Sequence, residues 1–211
     1  IFFCTISTRL SSVLKFFGYF MENFEWLEPW SVAGSAGRTV ETDDVGAKAP
    51  ALTSVTVDGV TAFDAVEKLG YKFIYDKNDN KRIYLQQNYL KMGKTGNHAG
   101  IILPPIDGVP EAKDNVTLSF DWCGMRKESG KIDPVNLIVI FENGSDKVQI
   151  DIPELGWEDG HKLEWVRAEV SLKGITVNKD TKITITQTQW EVGTANRWFL
   201  DNIKISEPIK L

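Results

Sequence analysis

The chain has 211 residues, 42% of them hydrophobic, and a net charge of −5. That length supports one sizeable core, so folding requires neither a disulfide framework nor a structural metal. No lysine- or arginine-rich stripe is present, which argues against nucleic acid and anionic membrane as partners.

Residues 1 to 18 are apolar but interrupted by Arg9 and Lys15. A membrane span needs about 20 nearly uninterrupted apolar residues, and a signal peptide needs a basic start followed by a clean apolar block. Neither pattern is met. The segment is expected to be irregular or foreign to the native domain, with no membrane insertion, and the domain is expected over residues 19–211.

The domain opens on Asn23-Phe-Glu-Trp-Leu-Glu-Pro-Trp30. Gly34 to Asp58 is rich in Gly, Ala, Ser, Thr and Asp and has little periodicity, so an insertion is expected over about residues 34–72. Within it, Thr61 to Gly70 predicts one short helix. Thr61 caps it, Phe63, Val66 and Leu69 share a face, and Gly70 ends it.

From there the pattern is that of strands. Ile83 to Met92 and Gly100 to Leu103 come first, the latter stopped by Pro104-Pro105, because proline cannot donate to a ladder. Val116, Leu118, Phe120 and Trp122 alternate with polar residues and Cys123, the period-two signature of a half-buried strand. Leu137 to Phe141 is a shorter apolar run, suited to a central strand. Val148, Ile150 and Ile152, then Val166, Ala168, Val170 and Leu172, repeat the alternation, and Ile183 and Ile185 sit among threonines. Asn143-Gly144, Asp107-Gly108, Asp159-Gly160 and Lys173-Gly174 mark reversals. Short strands at this spacing predict a sandwich or barrel. The expected core is Phe24, Leu85, Ile102, Val116, Leu118, Phe120, Val139, Ile150, Val166, Val170, Ile183, Ile185, Leu200, Ile203 and Ile205.

The last strand, Arg197 to Ile205, carries Asp201 inside an apolar run. A carboxylate facing a core is costly unless paired or bound to a metal. Its expected counterpart is the Phe24-Glu25 segment, so that the first and last strands meet.

Cys4 and Cys123 lie far apart and make no disulfide framework. Cys123 is read as a small residue on its strand. His98 and His161 are the only histidines, in glycine-rich turns without metal-ligand or triad spacing. No Gly-x-Ser-x-Gly elbow exists. Glu41, Asp43 and Asp44 cluster only in the irregular insertion, and no strand alternates the carboxylate pair that a glycosidase needs. No enzymatic activity is expected.

Seven tryptophans are many for this length. Trp122 and Trp198 fall within apolar strands and are expected in the core. Trp157, in a turn, and Trp190, beside a loop, are candidate platforms for the apolar face of a sugar ring. Trp165 lies on the parity opposite Val166 and Val170 and is expected to face outward with Arg167. Trp157, Trp165, Arg167 and Trp190 are therefore the ligand-binding candidates. The alternative is that these aromatics plug the ends of the sandwich.

Phe24-Glu25 with Trp30, and Phe199-Leu200-Asp201-Asn202-Ile203, resemble the paired terminal motifs of the galactose-binding-like jelly roll, the fold of many non-catalytic carbohydrate-binding modules. Tyr89-Leu-Lys-Met-Gly93 and Ala99-Gly-Ile-Ile-Leu-Pro104 are similar to segments in secreted and surface proteins of gut Bacteroidetes. The resemblance spans residues 20 to 208 and implies an all-β, antiparallel jelly-roll β-sandwich with one short inserted helix. It also implies a structural Ca2+ shared by Glu25 and Asp201, although two carboxylates fall short of the six to eight oxygens that calcium takes.

Three functions follow from the resemblance. The first is a monomeric carbohydrate-binding domain, extracellular or on a bacterial cell surface or in the periplasm, with a polysaccharide or oligosaccharide as partner. The second is a structural or adhesin-type domain that binds protein. The third is a jelly-roll glycoside hydrolase or lyase.

Overall fold

The computed structural model describes residues 18–31, 49–75, 82–86, 88–109, 115–126, 129–173, 176–188 and 196–207. The strands in chain order are β1 (Phe20–Glu22), β2 (Thr56–Val57), β3 (Val60–Thr61), β4 (Lys72–Tyr75), β5 (Ile83–Leu85), β6 (Leu90–Met92) and β7 (Ala99–Ile102). The longer ones follow: β8 (Thr117–Gly124), β9 (Leu137–Asn143), β10 (Asp146–Asp151), β11 (Val166–Ser171), β12 (Lys182–Gln187) and β13 (Trp198–Ser206). A 3₁₀ turn covers Glu25–Trp30, and one α-helix, α1, covers Ala62–Lys68.

All strand pairs are antiparallel. They form a six-stranded sheet, ordered β11-β8-β13-β6-β5 with β1 also on β13, and a five-stranded sheet, ordered β10-β9-β12-β7-β4. A small β2-β3 ladder stands apart from both. The architecture is the expected jelly-roll β-sandwich with one inserted helix.

Alternation decides which face each strand buries. In β8, Leu118, Phe120 and Trp122 enter the core between the sheets, while Thr117, Ser119, Asp121 and Cys123 point to the outer face. Val139 and Phe141 of β9, Ile183 and Ile185 of β12, and Trp198, Leu200, Ile203 and Ile205 of β13 complete the same core.

The two ends of the domain meet. Phe20, Met21 and Glu22 pair with Ile205, Lys204 and Ile203. β13 thus divides one of its edges between β6, along Trp198 to Leu200, and β1, along Ile203 to Ile205. A register shift against β8 between Asp201 and Lys204 separates the two halves. It turns both Leu200 and Ile203 inward, and Asn202 takes the left-handed conformation at φ 49°, which asparagine tolerates better than most residues.

Four expectations about packing are corrected. Ile102 is half-buried on the outer face, because Ala99 and Ile101 are the inward pair of β7. Ile150 and Val166 are likewise only half-buried. Leu69 is 53% exposed, since α1 ends at Lys68 and its buried face is Ala62, Phe63 and Val66. Thr61 does cap this helix, accepting from the Asp64 N–H at 3.0 Å, and Gly70 follows it at φ 96°.

Candidate functional site

Two loops at one end of the sandwich build a cleft. The first, residues 129–136, leads into β9. The second, residues 152–165, leads from β10 to β11. The Gly160 N–H donates to the Gly130 carbonyl at 3.3 Å, which ties the loops together. Glycines at φ 62° and 84°, Gly156 and Gly160, allow the second loop its reversals.

The cleft holds about 200 Å³. Ile132, Pro134, Val135 and Leu155 supply apolar wall, Trp122 reaches it from the core, and Trp157, Glu154, Asn136 and Asp133 supply the functional groups. Pockets for drug-sized ligands measure roughly 300–1,000 Å³. This smaller space suits a single ring or side chain.

Trp157 is half-buried, and one face of its indole stacks on the His161 imidazole at 4.6 Å and 17°. His161 is held in turn by its N–H to the Glu158 carbonyl at 3.0 Å, by Glu164 Oε1 at 3.8 Å, and by the Arg126 guanidinium donating to its carbonyl.

Asp133 sits beneath, with a fully buried side chain. Arg197 closes a fork on it, Nε to Oδ2 at 2.6 Å and Nη2 to Oδ1 at 3.2 Å, and adds its backbone N–H at 3.1 Å. Charge-assisted bidentate geometry of this kind is the strong form of an ion pair. Nearby, Lys91 is buried on β6 with its Nζ 4.4 Å from the centre of the Tyr84 ring. Burial, and secondarily the Arg197 charge, push its ammonium down to about 8.

A polar network continues from the cleft floor. His98 Nε2 lies 2.7 Å from Asn196 Oδ1, and Asn196 Nδ2 donates to the Pro134 carbonyl at 2.6 Å. Gln187 Nε2 donates to the Asn196 carbonyl at 2.8 Å, and the Thr188 N–H to the Asn136 carbonyl at 3.0 Å.

The other site candidates fall elsewhere. Trp165 is half-buried on the outer face of the six-stranded sheet, edge-on to Tyr89 at 5.1 Å. With Trp157 it packs on a second apolar cluster of Tyr89, Cys123, Met125, Leu163 and Phe199. Cys123 is a buried free thiol. Arg167 does not join these aromatics at the cleft. Its guanidinium is engaged by Asp121 Oδ1 at 2.9 Å, the Asn202 carbonyl at 2.9 Å and Ser119 Oγ at 2.6 Å. Trp190 lies outside the described residues.

The two carboxylates that the resemblance implies for calcium sit in different settings. Glu25 is exposed in the 3₁₀ turn. Asp201 is buried on the outer side of β13, opposite Asp121, where its Oδ1 accepts the Asn202 N–H at 2.7 Å. Among the described residues no three His, Cys, Asp or Glu side chains are grouped to hold an ion. The carboxylate that does secure the first strand is Glu22. It accepts from the Phe24 N–H at 2.6 Å, the Trp26 indole N–H at 3.1 Å and the Tyr71 hydroxyl at 2.8 Å.

Sequence reasoning singled out Trp157 but not Glu154, Asn136 or the Asp133–Arg197 pair. The only signal for them was turn chemistry, Asp133-Pro134 and Pro153-Glu-Leu-Gly156, which marked two loops without bringing them together.

No protein-family model matches the sequence, and no curated protein matches it. Among solved structures, the CBM22-2 xylan-binding domain of Xyn10C from Paenibacillus barcinonensis is similar, at 10% identity and a TM-score of 0.43, covering 90% of this chain and 100% of that one. The K1 cleaved adhesin domain of Lys-gingipain from Porphyromonas gingivalis matches at 12% identity and 0.42, covering 90% and 98%. The second N-terminal cellulose-binding domain of Cellulomonas fimi β-1,4-glucanase C matches at 13% and 0.37, covering 69% and 90%. At these values the likeness is one of outline, and no functional assignment rests on it.

Proposed function

We propose that the protein is a non-catalytic glycan-binding domain whose ligand enters the cleft beside Trp157. The observation that carries this reading is the pairing of an indole, held on one face by His161, with an open carboxylate and an exposed amide in the same small cleft. An aromatic surface takes the apolar face of a sugar ring, while Glu154 and Asn136 supply the few convergent polar groups that such sites use. Trp165 supports the platform from the shared cluster and does not contact ligand. Arg167 is a strand clamp.

The domain acts without chemistry in this reading. Asp133, the second carboxylate of the cleft, is committed to Arg197 and is not placed to pass a proton to a leaving group. Polysaccharide ligands place the protein outside the cytoplasm, secreted or at a cell surface.

A glycan array followed by titration calorimetry tests the proposal. Trp157→Ala is expected to abolish binding while the thermal midpoint stays within a few degrees of wild type. Undiminished binding by that variant, or turnover of a polysaccharide by the wild type, would refute it.

A further inference from the structure

We infer that the cleft discriminates by charge: it accepts glycans that present hydroxyls or protonated amines to Glu154 and rejects those that present a carboxylate or sulfate there. This rests on the glycan reading above and adds the class of ligand to it.

The argument starts from the ionisable groups that line the cleft, Asp133 and Glu154. Among the described residues no lysine, arginine or histidine lines it. The two carboxylates are not equivalent. Asp133 is buried, and its charge is offset by the Arg197 guanidinium across two hydrogen bonds. Arg197 has thereby spent its fork on the protein, and its side chain is only 14% exposed. Glu154 is exposed and makes no ion pair with a described residue. One formal negative charge is therefore left facing any ligand.

Arg126 does not compensate it: its guanidinium is directed to the His161 carbonyl and does not line the cleft.

An ionised carboxylate only accepts hydrogen bonds. A sugar hydroxyl or an ammonium group has a proton to give it, and a carboxylate or sulfate at neutral pH has none. Anionic ligands are otherwise met by arginine or lysine, and the side chains lining the cleft offer them only neutral donors such as the Asn136 amide and the Trp157 indole N–H. The partly enclosed wall of Ile132, Pro134, Val135 and Leu155 lowers the local dielectric and strengthens the repulsion.

The test compares three immobilised series at low and moderate salt: neutral gluco- and xylo-oligosaccharides, glucosamine oligomers with free amines, and oligogalacturonate with sulfated galactan. Wild type is expected to bind the acidic series at least about tenfold more weakly than the neutral one, with the gap narrowing as salt rises. Glu154→Gln is expected to bring the two within about threefold. Acidic glycans bound as well as neutral ones, through contacts that Trp157→Ala abolishes, would overturn the inference and leave the glycan reading standing. A gap unchanged in Glu154→Gln would overturn it too. Failure of wild type to bind any series would remove the glycan reading, and this inference with it.

Discussion

Single residues decide how the cleft is held, and Asp133 is the first of them. Its carboxylate has no exposure and accepts three N–H bonds from Arg197. Removing one partner of such a pair strands a buried charge, a loss of about 3–5 kcal/mol. Asp133→Ala is therefore expected to lower the unfolding free energy measured in urea by that much, and Asp133→Asn by less. Lys91 makes the opposite case. Its folded ammonium loses its proton near about 8, below the ordinary value of 10.5. Between those two values the unfolded chain holds a proton that the folded protein does not. Stability from this group is then lowest below pH 8 and rises through about pH 8 to 10, by up to roughly 3 kcal/mol. Thermal melts should show that rise in wild type and not in Lys91→Met, which is also expected to be the more stable of the two at pH 7. Equal pH slopes for both proteins would contradict it.

Among the elements, β13 does the most to organise the sandwich, and its register shift explains what was legible beforehand. Alternation in β8 was readable from the chain because Leu118, Phe120 and Trp122 stand in phase. The last strand was readable as an apolar run in which Asp201 stood out. Its setting did not, because a bulge moves half the strand by one residue and no local pattern announces it. β7 is only four residues long, too few to fix a phase, so Ile102 was assigned to the wrong face. Glu22 escaped notice because one of its partners, Tyr71, lies 49 residues away. The cleft was illegible for a similar reason: it exists only where two distant loops touch. The bulge is pinned by Arg167, which joins β11 to β8 and to the Asn202 carbonyl. That guanidinium is substantially exposed, so Arg167→Ala is expected to cost only about 1 kcal/mol in denaturant unfolding. On the other sheet, a methyl at Gly100 would come within 2.6 Å of Thr186 Oγ1 and 2.8 Å of the Ile185 carbonyl. Gly100→Ala should lose about 1–3 kcal/mol through overpacking.

The molecule as a whole is closed by its own extremities. The Tyr19 N–H donates to the Ile205 carbonyl at 2.7 Å, and its hydroxyl to Glu207 Oε1 at 2.8 Å. Burial and that carboxylate push the phenol up to about 12. Gly108 packs against the same point, and a Cβ there would run into the Tyr19 carbonyl. The ordering of β1 across β13 also has a mechanical side. Residues 18 and 207 emerge together at one end of an antiparallel pair, so tension applied through the flanking chain loads its hydrogen bonds one after another instead of all at once. Pulled in an optical trap, the three-residue strand should unzip at low force, well before the sandwich itself yields.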